Sequence, residues 1–350
     1  MTTDHQCAQS GGLSDVLLNL LDDAPIGLID IGARGGVPPM FEPMARAIAV
    51  LGFEPEPEEA ARLNAEAKNT PAYAFQSFEP TGLHNRTGTA SLHIAQVPTN
   101  SSLFEPNEHF IARYAMEKWV KIDETAVPVT TLDKVLFETR HSETTWGEVI
   151  KVDTQGSEYE ILSGARRTLE ERTRVVVAEV SFCELYKGQK LFSDVELLLR
   201  EHGFSFYGFS RLYNRSRKSL DKASYTGRER PIQADAIFYK DPFDPHTNTK
   251  RTAVSRRDLT IAASMALATG YHDFALELAE AIDGGAPALR DYVRSAAQIP
   301  DGRAIDVITS LYEAAKNNPS HAAILLGKVV DQYRDTNDFF DVSAPDGGAL

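Results

Sequence analysis

The sequence is poor in cysteine and in long apolar runs. It has two cysteines in 350 residues, Cys7 and Cys183, and they lie far apart in different kinds of segment. Two thiols are too few for a cysteine-based zinc site, and their placement argues against a disulfide. No apolar run approaches the roughly 20 residues of a membrane span. Residues 1–12 lack the cationic and apolar regions of a signal peptide. We therefore expect a cytoplasmic protein.

Positive charge is also scarce. The chain carries 36 lysines and arginines against 50 aspartates and glutamates, a formal net charge of −14. Binding to a phosphate backbone requires a basic surface, so this balance argues against a general nucleic-acid partner. The hydrophobic content of 42% and the charged content of 25% are those of an ordinary globular protein.

Short β-rich runs alternate with helical periods between residues 25 and 243. The predicted strands are 27–31, 51–54, 72–77, 90–95, 148–153, 174–180, 204–209 and 234–240, and the predicted helices are 40–50, 57–68, 158–169 and 194–202. This alternation predicts an α/β fold with a mostly parallel sheet.

Three parts of the chain differ in composition. Residues 1–24 read as a polar tail and a short helix capped by Ser14, and residues 25–243 as the α/β domain. After a proline-rich break, residues 250–340 read as an all-helical C-terminal module packed outside the sheet. The apolar faces of these helices predict self-association as a homo-oligomer.

The first motif that points to chemistry is LIDIGARGG at residues 28–36. An apolar strand ends in Asp30, and Gly32, Gly35 and Gly36 follow in a loop. Glycines let the backbone turn tightly and approach a ligand, and ligands of such sheets lie at the carboxyl ends of the strands. The loop lacks the G-x-G-x-x-G spacing of dinucleotide-binding folds, which disfavours a nicotinamide cofactor.

Two further strand ends carry polar residues. Glu54 ends the next strand, where a carboxylate can accept hydrogen bonds from both hydroxyls of a ribose. Residues 150–165 place Lys151 and Asp153 on one side of a buried strand, with Glu158 in the first turn of the following helix. A structural salt bridge is the alternative interpretation of the pair formed by Lys151 and Asp153.

These segments resemble the FkbM family of S-adenosylmethionine-dependent methyltransferases. The resemblance rests on DIGARGG at 30–36, GFEPEP at 52–57, VTTLD at 129–133, IKVDTQGSEYEILSGA at 150–165, AEVSFCELY at 178–186 and DAIFYK at 235–240. It implies a Rossmann-like class I methyltransferase sheet with an antiparallel last strand at 234–240. It also implies S-adenosyl-L-methionine as cofactor and methyl transfer to a hydroxyl of a sugar, lipid-linked glycan or polyketide-type product.

The resemblance also implies site residues. The expected cofactor-binding residues are Asp30, Gly32, Ala33, Arg34, Gly36, Glu54, Pro55 and Asp153. Arg34 is a departure, because many members have asparagine there, so its contact with the cofactor is in doubt.

For catalysis, Asp153 and Glu179 end neighbouring central strands and are the candidate base and positioning residue. We favour Asp153 as the base, with Lys151 and Glu158 as its organisers, and His93 and His109 are weaker candidates. The carboxylates show no recognisable metal-ligand spacing, so no metal is predicted.

Two long segments complete the sequence-based picture. Residues 96–128 are too long for a simple connection and predict a lid or substrate wall. Residues 211–230 carry an excess of basic side chains that can steer an anionic small-molecule or glycan acceptor, although a solvated hairpin explains them equally. The competing functions are a nicotinamide-dependent oxidoreductase and an inactive cofactor-binding scaffold whose helical tail recruits partners.

Overall fold

The computed structural model describes residues 12–139, 141, 146–217, 219, 229–245, 254–298, 302–317, 319 and 326. Its strands are β1 (Ile26–Ile31), β2 (Ile48–Phe53), β3 (Phe75–Glu79), β4 (Gly82–Leu83), β5 (Gly88–Ala95), β6 (Lys121–Thr130), β7 (Val149–Val152), β8 (Val175–Ser181), β9 (Ser205–Arg215) and β10 (Arg230–Tyr239). Its α-helices are α1 (Leu13–Leu20), α2 (Pro57–Asn69), α3 (Glu108–Tyr114), α4 (Leu132–Glu138), α5 (Glu158–Ser163), α6 (Arg166–Glu171), α7 (Phe192–Glu201), α8 (Arg256–Ala268), α9 (His272–Ala281), α10 (Pro287–Gln298) and α11 (Gly302–Asn317).

Seven strands form the main sheet, in the order β3-β2-β1-β7-β8-β10-β9. The pairs from β3 to β8 are parallel, and β10 runs antiparallel to both β8 and β9. The predicted Rossmann-like sheet with an antiparallel last strand is therefore confirmed. A smaller sheet, in the order β4-β6-β5, lies within the segment between β3 and α4.

The central strands are buried because their residues are apolar on both faces. All residues of β1 and β8 are buried, and four of the seven residues of β8 are valines. Alternate side chains point to opposite faces, so Leu28 and Ile29 belong to different core clusters. The helices on the two faces cover these clusters.

Several predicted element boundaries were wrong. Residues 40–50 do not form one helix: a 3-10 segment at Pro39–Ala47 contains Pro43, and β2 already begins at Ile48. A proline inside a helix removes a donor and clashes with the preceding turn, whereas β-branched residues favour the strand. Ser14 is not the cap of α1 but lies inside it, and its hydroxyl donates to the carbonyl of Pro43.

The predicted helix 158–169 is also divided, into α5 and α6 around Gly164. A Cβ atom on Gly164 would lie 2.3 Å from the carbonyl oxygen of His84, so another chain segment passes too close for any side chain here. Between the predicted strands 90–95 and 148–153, the structure also contains β6 and α4, which were not among the predicted elements.

The helices α8 to α10 cover one face of the main sheet. Their buried apolar residues belong to the same core cluster as Leu28, Val177 and Tyr239 of the sheet. One hydrophobic core thus continues across the predicted boundary between residues 243 and 250, and the division into separate units at that boundary stays a prediction. A sheet face of this size needs a helical layer, and α1 with the 3-10 segment covers only part of it.

Polar contacts join the same layers. Arg257 of α8 forms an ion pair with Glu148 at 2.5 Å and donates hydrogen bonds to the carbonyls of Ala24 and Pro25. Arg174, which precedes β8, pairs with Asp258 at 2.6 Å. Within the described ranges, none of the helices is long and apolar enough to cross a membrane.

Candidate active site

A cavity of about 380 Å³ opens at the carboxyl ends of the parallel strands. It lies where the strand order reverses between β1 and β7, which is the position at which doubly wound sheets bind ligands. Its lining contains Gly32 after β1, Glu54 and Pro55 after β2, Asp153 after β7, and Glu179 near the end of β8. A volume of this size is that of an ordinary small-molecule site.

The structure brings six of the predicted site residues to this cavity, and the other five do not line it. The residues that line it are Gly32, Arg34, Glu54, Pro55, Asp153 and Glu179. The predicted residues outside the lining are Asp30, Ala33, Gly36, Lys151 and Glu158. Ala33 packs against Leu63 and Phe78, and the amide of Gly36 donates to the carbonyl of Ala33.

The loop after β1 is held against the two flanking strands. Gly32 and Ala33 donate backbone hydrogen bonds to the carbonyl of Phe53, at 3.0 and 3.1 Å. Gly32 has a φ of 76°, and a Cβ atom there would lie 1.8 Å from the carbonyl oxygen of Asp153. Only glycine therefore fits this position, and the loop fixes the distance between the ends of β1 and β7.

Glu54 presents a buried carboxylate to the cavity. Its Oε1 accepts a hydrogen bond from the amide of Glu56 at 3.0 Å, and the same oxygen lies 3.7 Å from Nη2 of Arg34. Burial raises the pKa of Glu54, while the amide of Glu56 and the charge of Arg34 lower it. Both contacts are made to Oε1, which leaves Oε2 available to a ligand.

Lys151 pairs with Asp30 rather than with Asp153. Its Nζ lies 3.3 Å from Oδ1 of Asp30 and donates to the carbonyl of Gly32 at 3.3 Å. The β1–β7 register places Asp30 directly opposite Lys151, which explains the pairing. Burial lowers the pKa of Lys151, but the carboxylates of Asp30 and Asp153 outweigh it and raise the pKa above its usual range. Lys151 therefore remains a cation.

Three carboxyl groups lie close together beside this pair. Oxygen atoms of Asp153, Glu158 and Glu179 all lie within 4.8 Å of one another. Glu158 accepts hydrogen bonds from the amides of Thr154 and Gly156, at 2.8 and 3.0 Å, so it holds the loop that follows β7. The role of Glu158 as an organiser of Asp153 stays a prediction, and these contacts would transmit it through that loop.

Gln155 connects the carboxyl groups, and the sequence-based assignment missed it. Its Nε2 donates to Asp153 at 3.3 Å and to both oxygens of Glu179, at 3.2 and 3.0 Å. The hydroxyl of the buried Tyr186 lies 3.0 Å from Oε1 of Gln155 and can donate to it, which orients the amide. The signal was present in the motif at residues 150–165, which contains Gln155, but its partner Tyr186 lies 31 residues further along the chain.

Burial and mutual repulsion raise the pKa values of two of these carboxyl groups and of Asp235. The pKa of Glu158 is raised to about 7 by burial. The pKa of Glu179 is raised by burial and by the charges of Asp153, Glu158 and Asp235. Asp235, directly opposite Glu179 in the β8–β10 pair, has its pKa raised to about 6 by burial and by Asp153. Several perturbed carboxyl groups beside one cavity are typical of a functional site.

The cluster should make stability depend on pH. Groups with raised folded-state pKa values bind more protons folded than unfolded between about pH 4.5 and pH 7, so stability falls as pH rises through that window. We expect Glu179→Gln to raise the melting temperature at neutral pH by a few degrees and to reduce this fall. Thermal melts across the window measure both effects.

Glu201→Gln, at an exposed position at the end of α7, is the matched control and should leave the profile unchanged. A wild-type melting temperature that rises steadily from pH 4.5 to pH 7 would contradict the raised pKa values.

The two long segments 96–128 and 211–230 both contribute residues to the cavity wall. Residues 98–103 and Trp119 form part of its wall, within the segment 96–128. From the basic segment 211–230, Tyr213 and Arg215 line the cavity, while residues 218 and 220–228 lie outside the described residues. His93 lies 3.6 Å from Glu124 in the small sheet, and His109 is exposed on α3; neither lines the cavity.

Comparison with known proteins finds one matching family and several solved structures of low sequence identity. The family described as the methyltransferase FkbM domain matches residues 30–206. A methyltransferase FkbM from Methylobacillus flagellatus KT is 13% identical, with a TM-score of 0.35, over 61% of this chain and 43% of that one. Magnesium protoporphyrin IX methyltransferase from Synechocystis, solved with bound SAM, is 12% identical, with a TM-score of 0.31, over 65% and 77%. No curated protein matches the sequence.

Proposed function

Because this chain belongs to the FkbM methyltransferase family, we propose that it binds S-adenosyl-L-methionine in the cavity and methylates a hydroxyl of a glycan or related metabolite. The observation that carries this proposal is the meeting of Glu54, the Gly32 loop, Asp153 and Glu179 at the point where the strand order reverses.

The residues present fit this cofactor. Glu54 offers a free carboxylate oxygen for ribose hydroxyls, and Pro55 beside it gives an apolar contact for a base. The carboxyl oxygens of Asp153 and Glu179 carry partial negative charge and can contact the positively charged sulfonium. When bound, the cofactor supplies an electrophilic methyl group.

In this proposal, Asp153 removes the proton of the acceptor hydroxyl as the oxygen takes the methyl group. Gln155 holds Asp153 and Glu179 in a fixed relation, and Glu158 fixes the loop that carries Asp153. Lys151, paired with Asp30, adds a nearby positive charge. The wall formed by residues 98–103 and Trp119 limits the access of water to the reacting groups.

Hydrogen-bond donors in the wall fit a polar acceptor. Trp119 lines the cavity and its side chain lies within hydrogen-bonding reach of Tyr186. Nε2 of Gln233 has no hydrogen-bond partner within the described part of the chain, although this residue also lines the cavity. Buried donors are normally satisfied, so a ligand rich in oxygen would complete Gln233. Arg215 in the same wall is suited to an anionic group on the acceptor.

The test of cofactor binding is the variant Glu54→Ala. We expect S-adenosylhomocysteine to bind more weakly by about 1–3 kcal/mol, the cost of losing hydrogen bonds to a charged acceptor. Calorimetric titration measures this loss, with Glu58→Ala, an exposed residue in the first turn of α2, as the matched control. Equal affinity in the Glu54 variant and the wild type would remove Glu54 from the cofactor site.

The same titration separates the competing functions. Binding of NAD in place of S-adenosylhomocysteine would favour the oxidoreductase. Cofactor binding without turnover in a screen of glycan acceptors, including phosphorylated and nucleotide-linked ones, would favour the inactive scaffold. Methyl transfer to one acceptor in that screen would establish the activity. Sedimentation of the full chain tests the proposed homo-oligomer.

A further inference from the structure

Arg34 lies in the loop after β1, but its side chain contacts two carboxylates at the end of β2. It lines the cavity, and its Nη2 lies 2.6 Å from Oε2 of Glu56 and 3.7 Å from Oε1 of Glu54. The side chain of Arg34 is 20% exposed and that of Glu54 is 5% exposed. An arginine thus stands between two carboxylates at the end of β2, and one of them is almost fully buried.

The charges around Glu54 are otherwise negative. Glu56 and Glu59 both face it, and both oppose its ionisation. The carboxylate of Glu59 forms an ion pair with Arg62 at 2.7 Å and accepts a hydrogen bond from the amide of Gly35 at 3.3 Å. Among the charged groups that shift the pKa of Glu54 in the described structure, Arg34 is therefore the one with a positive charge.

One further pair of ionisable side chains involves Glu79 of the neighbouring strand β3. The amide of Glu54 donates to the carbonyl of Glu79, which ends β3, and the carboxylate of Glu79 lies 3.6 Å from His141. Every variant compared below retains this histidine, so its charge is the same in all of them.

We propose that Arg34, anchored by Glu56, supplies the counter-charge that keeps Glu54 a hydrogen-bond acceptor for the two hydroxyls of a ribose. Arg34 is then a specificity-determining residue of the nucleoside pocket that acts through Glu54. This inference rests on the proposed function, because it takes Glu54 as the ribose-binding residue.

The physical reason is the balance of burial and charge at Glu54. Burial raises the pKa of the carboxyl group, and Arg34 opposes this rise. Without Arg34 the buried group takes up a proton at a higher pH. A protonated carboxyl group has lost an acceptor and gained a donor, so it matches a pair of hydroxyls poorly. Removal of Arg34 should therefore weaken binding most at low pH.

The experiment is calorimetric titration of the full chain with S-adenosylhomocysteine from about pH 5.5 to about pH 8.5. Wild type and Arg34→Lys, which keeps the charge, should show similar profiles, because both retain the other titrating carboxyl groups beside the cavity. In Arg34→Gln the dissociation constant should rise as pH falls, by up to about tenfold per pH unit below the shifted pKa. The analogue that lacks the ribose 2′-hydroxyl should show a smaller change. In Glu54→Gln, adding Arg34→Gln should give no further pH dependence.

Each outcome of these titrations either supports or overturns the proposed role of Arg34. An Arg34→Gln profile parallel to wild type at every pH, whether equal in affinity or uniformly weaker, would overturn it, because a direct contact or a structural role gives a uniform loss. A wild type that does not bind S-adenosylhomocysteine would refute the proposed function itself. Loss of binding in Glu54→Gln together with a parallel profile in Arg34→Gln would refute only the role of Arg34.

Discussion

A chain shortened to end after Asp244 is expected to fail to fold cooperatively and therefore not to bind cofactor. The truncation removes α8 to α10, whose buried side chains complete the core on one face of the main sheet. The large apolar side chains lost are Leu259, Ile261, Met265, Leu278 and Leu289. At about 1.5–3 kcal/mol each, their loss amounts to roughly 10 kcal/mol, which is comparable with the whole stability of a typical domain.

Thermal unfolding with S-adenosylhomocysteine titration tests this expectation. A full-length Leu278→Ala variant should lose about 2–5 kcal/mol yet still fold and bind. Leu197→Ala, on a leucine that is 48% exposed, should change stability by less than about 0.5 kcal/mol. A shortened chain that melts cooperatively and binds cofactor as the full chain does would show that residues 25–243 form an independent domain after all.

Replacement of Asp153 by asparagine is expected to remove most turnover while the protein still folds. As the proposed base, Asp153 should contribute roughly 10²–10⁴-fold to the rate. Asparagine keeps shape and volume, and its side-chain oxygen can still accept the hydrogen bond from Gln155. Cofactor affinity should stay within a few-fold of wild type, and turnover with an identified acceptor should fall.

The alternative role of Asp153 is structural, as the partner of a cation. The ion pair of Lys151 with Asp30 makes this role less favourable, because the lysine already has a carboxylate at 3.3 Å. A lower melting temperature in Asp153→Asn with wild-type turnover per folded molecule would end the catalytic assignment. Measurement of melting temperature and rate on one preparation separates the two roles.

The strand-end positions of the site were predictable from the sequence because they follow local rules. A strand that ends in a glycine-rich loop or a carboxylate delivers those groups to one edge of a parallel sheet, and Gly32, Glu54 and Asp153 do line one cavity. The pairings within the site were not predictable. Which carboxylate neutralises Lys151 depends on the β1–β7 register, and Gln155 gains its orientation from Tyr186, a distant residue.

By itself, the sequence determined the alternation of strands and helices, the antiparallel last strand through its family resemblance, and the polar residues at the strand ends. These features depend on residues that lie close together in the sequence, because they follow from the spacing of hydrophobic residues, from glycines and from short motifs. Only the tertiary structure decided that α8 to α10 share the core of the sheet and that Arg34 lies beside Glu54. The amphipathic pattern of a helix shows that one face must be covered, but not by which partner. That choice belongs to packing between residues far apart in the sequence.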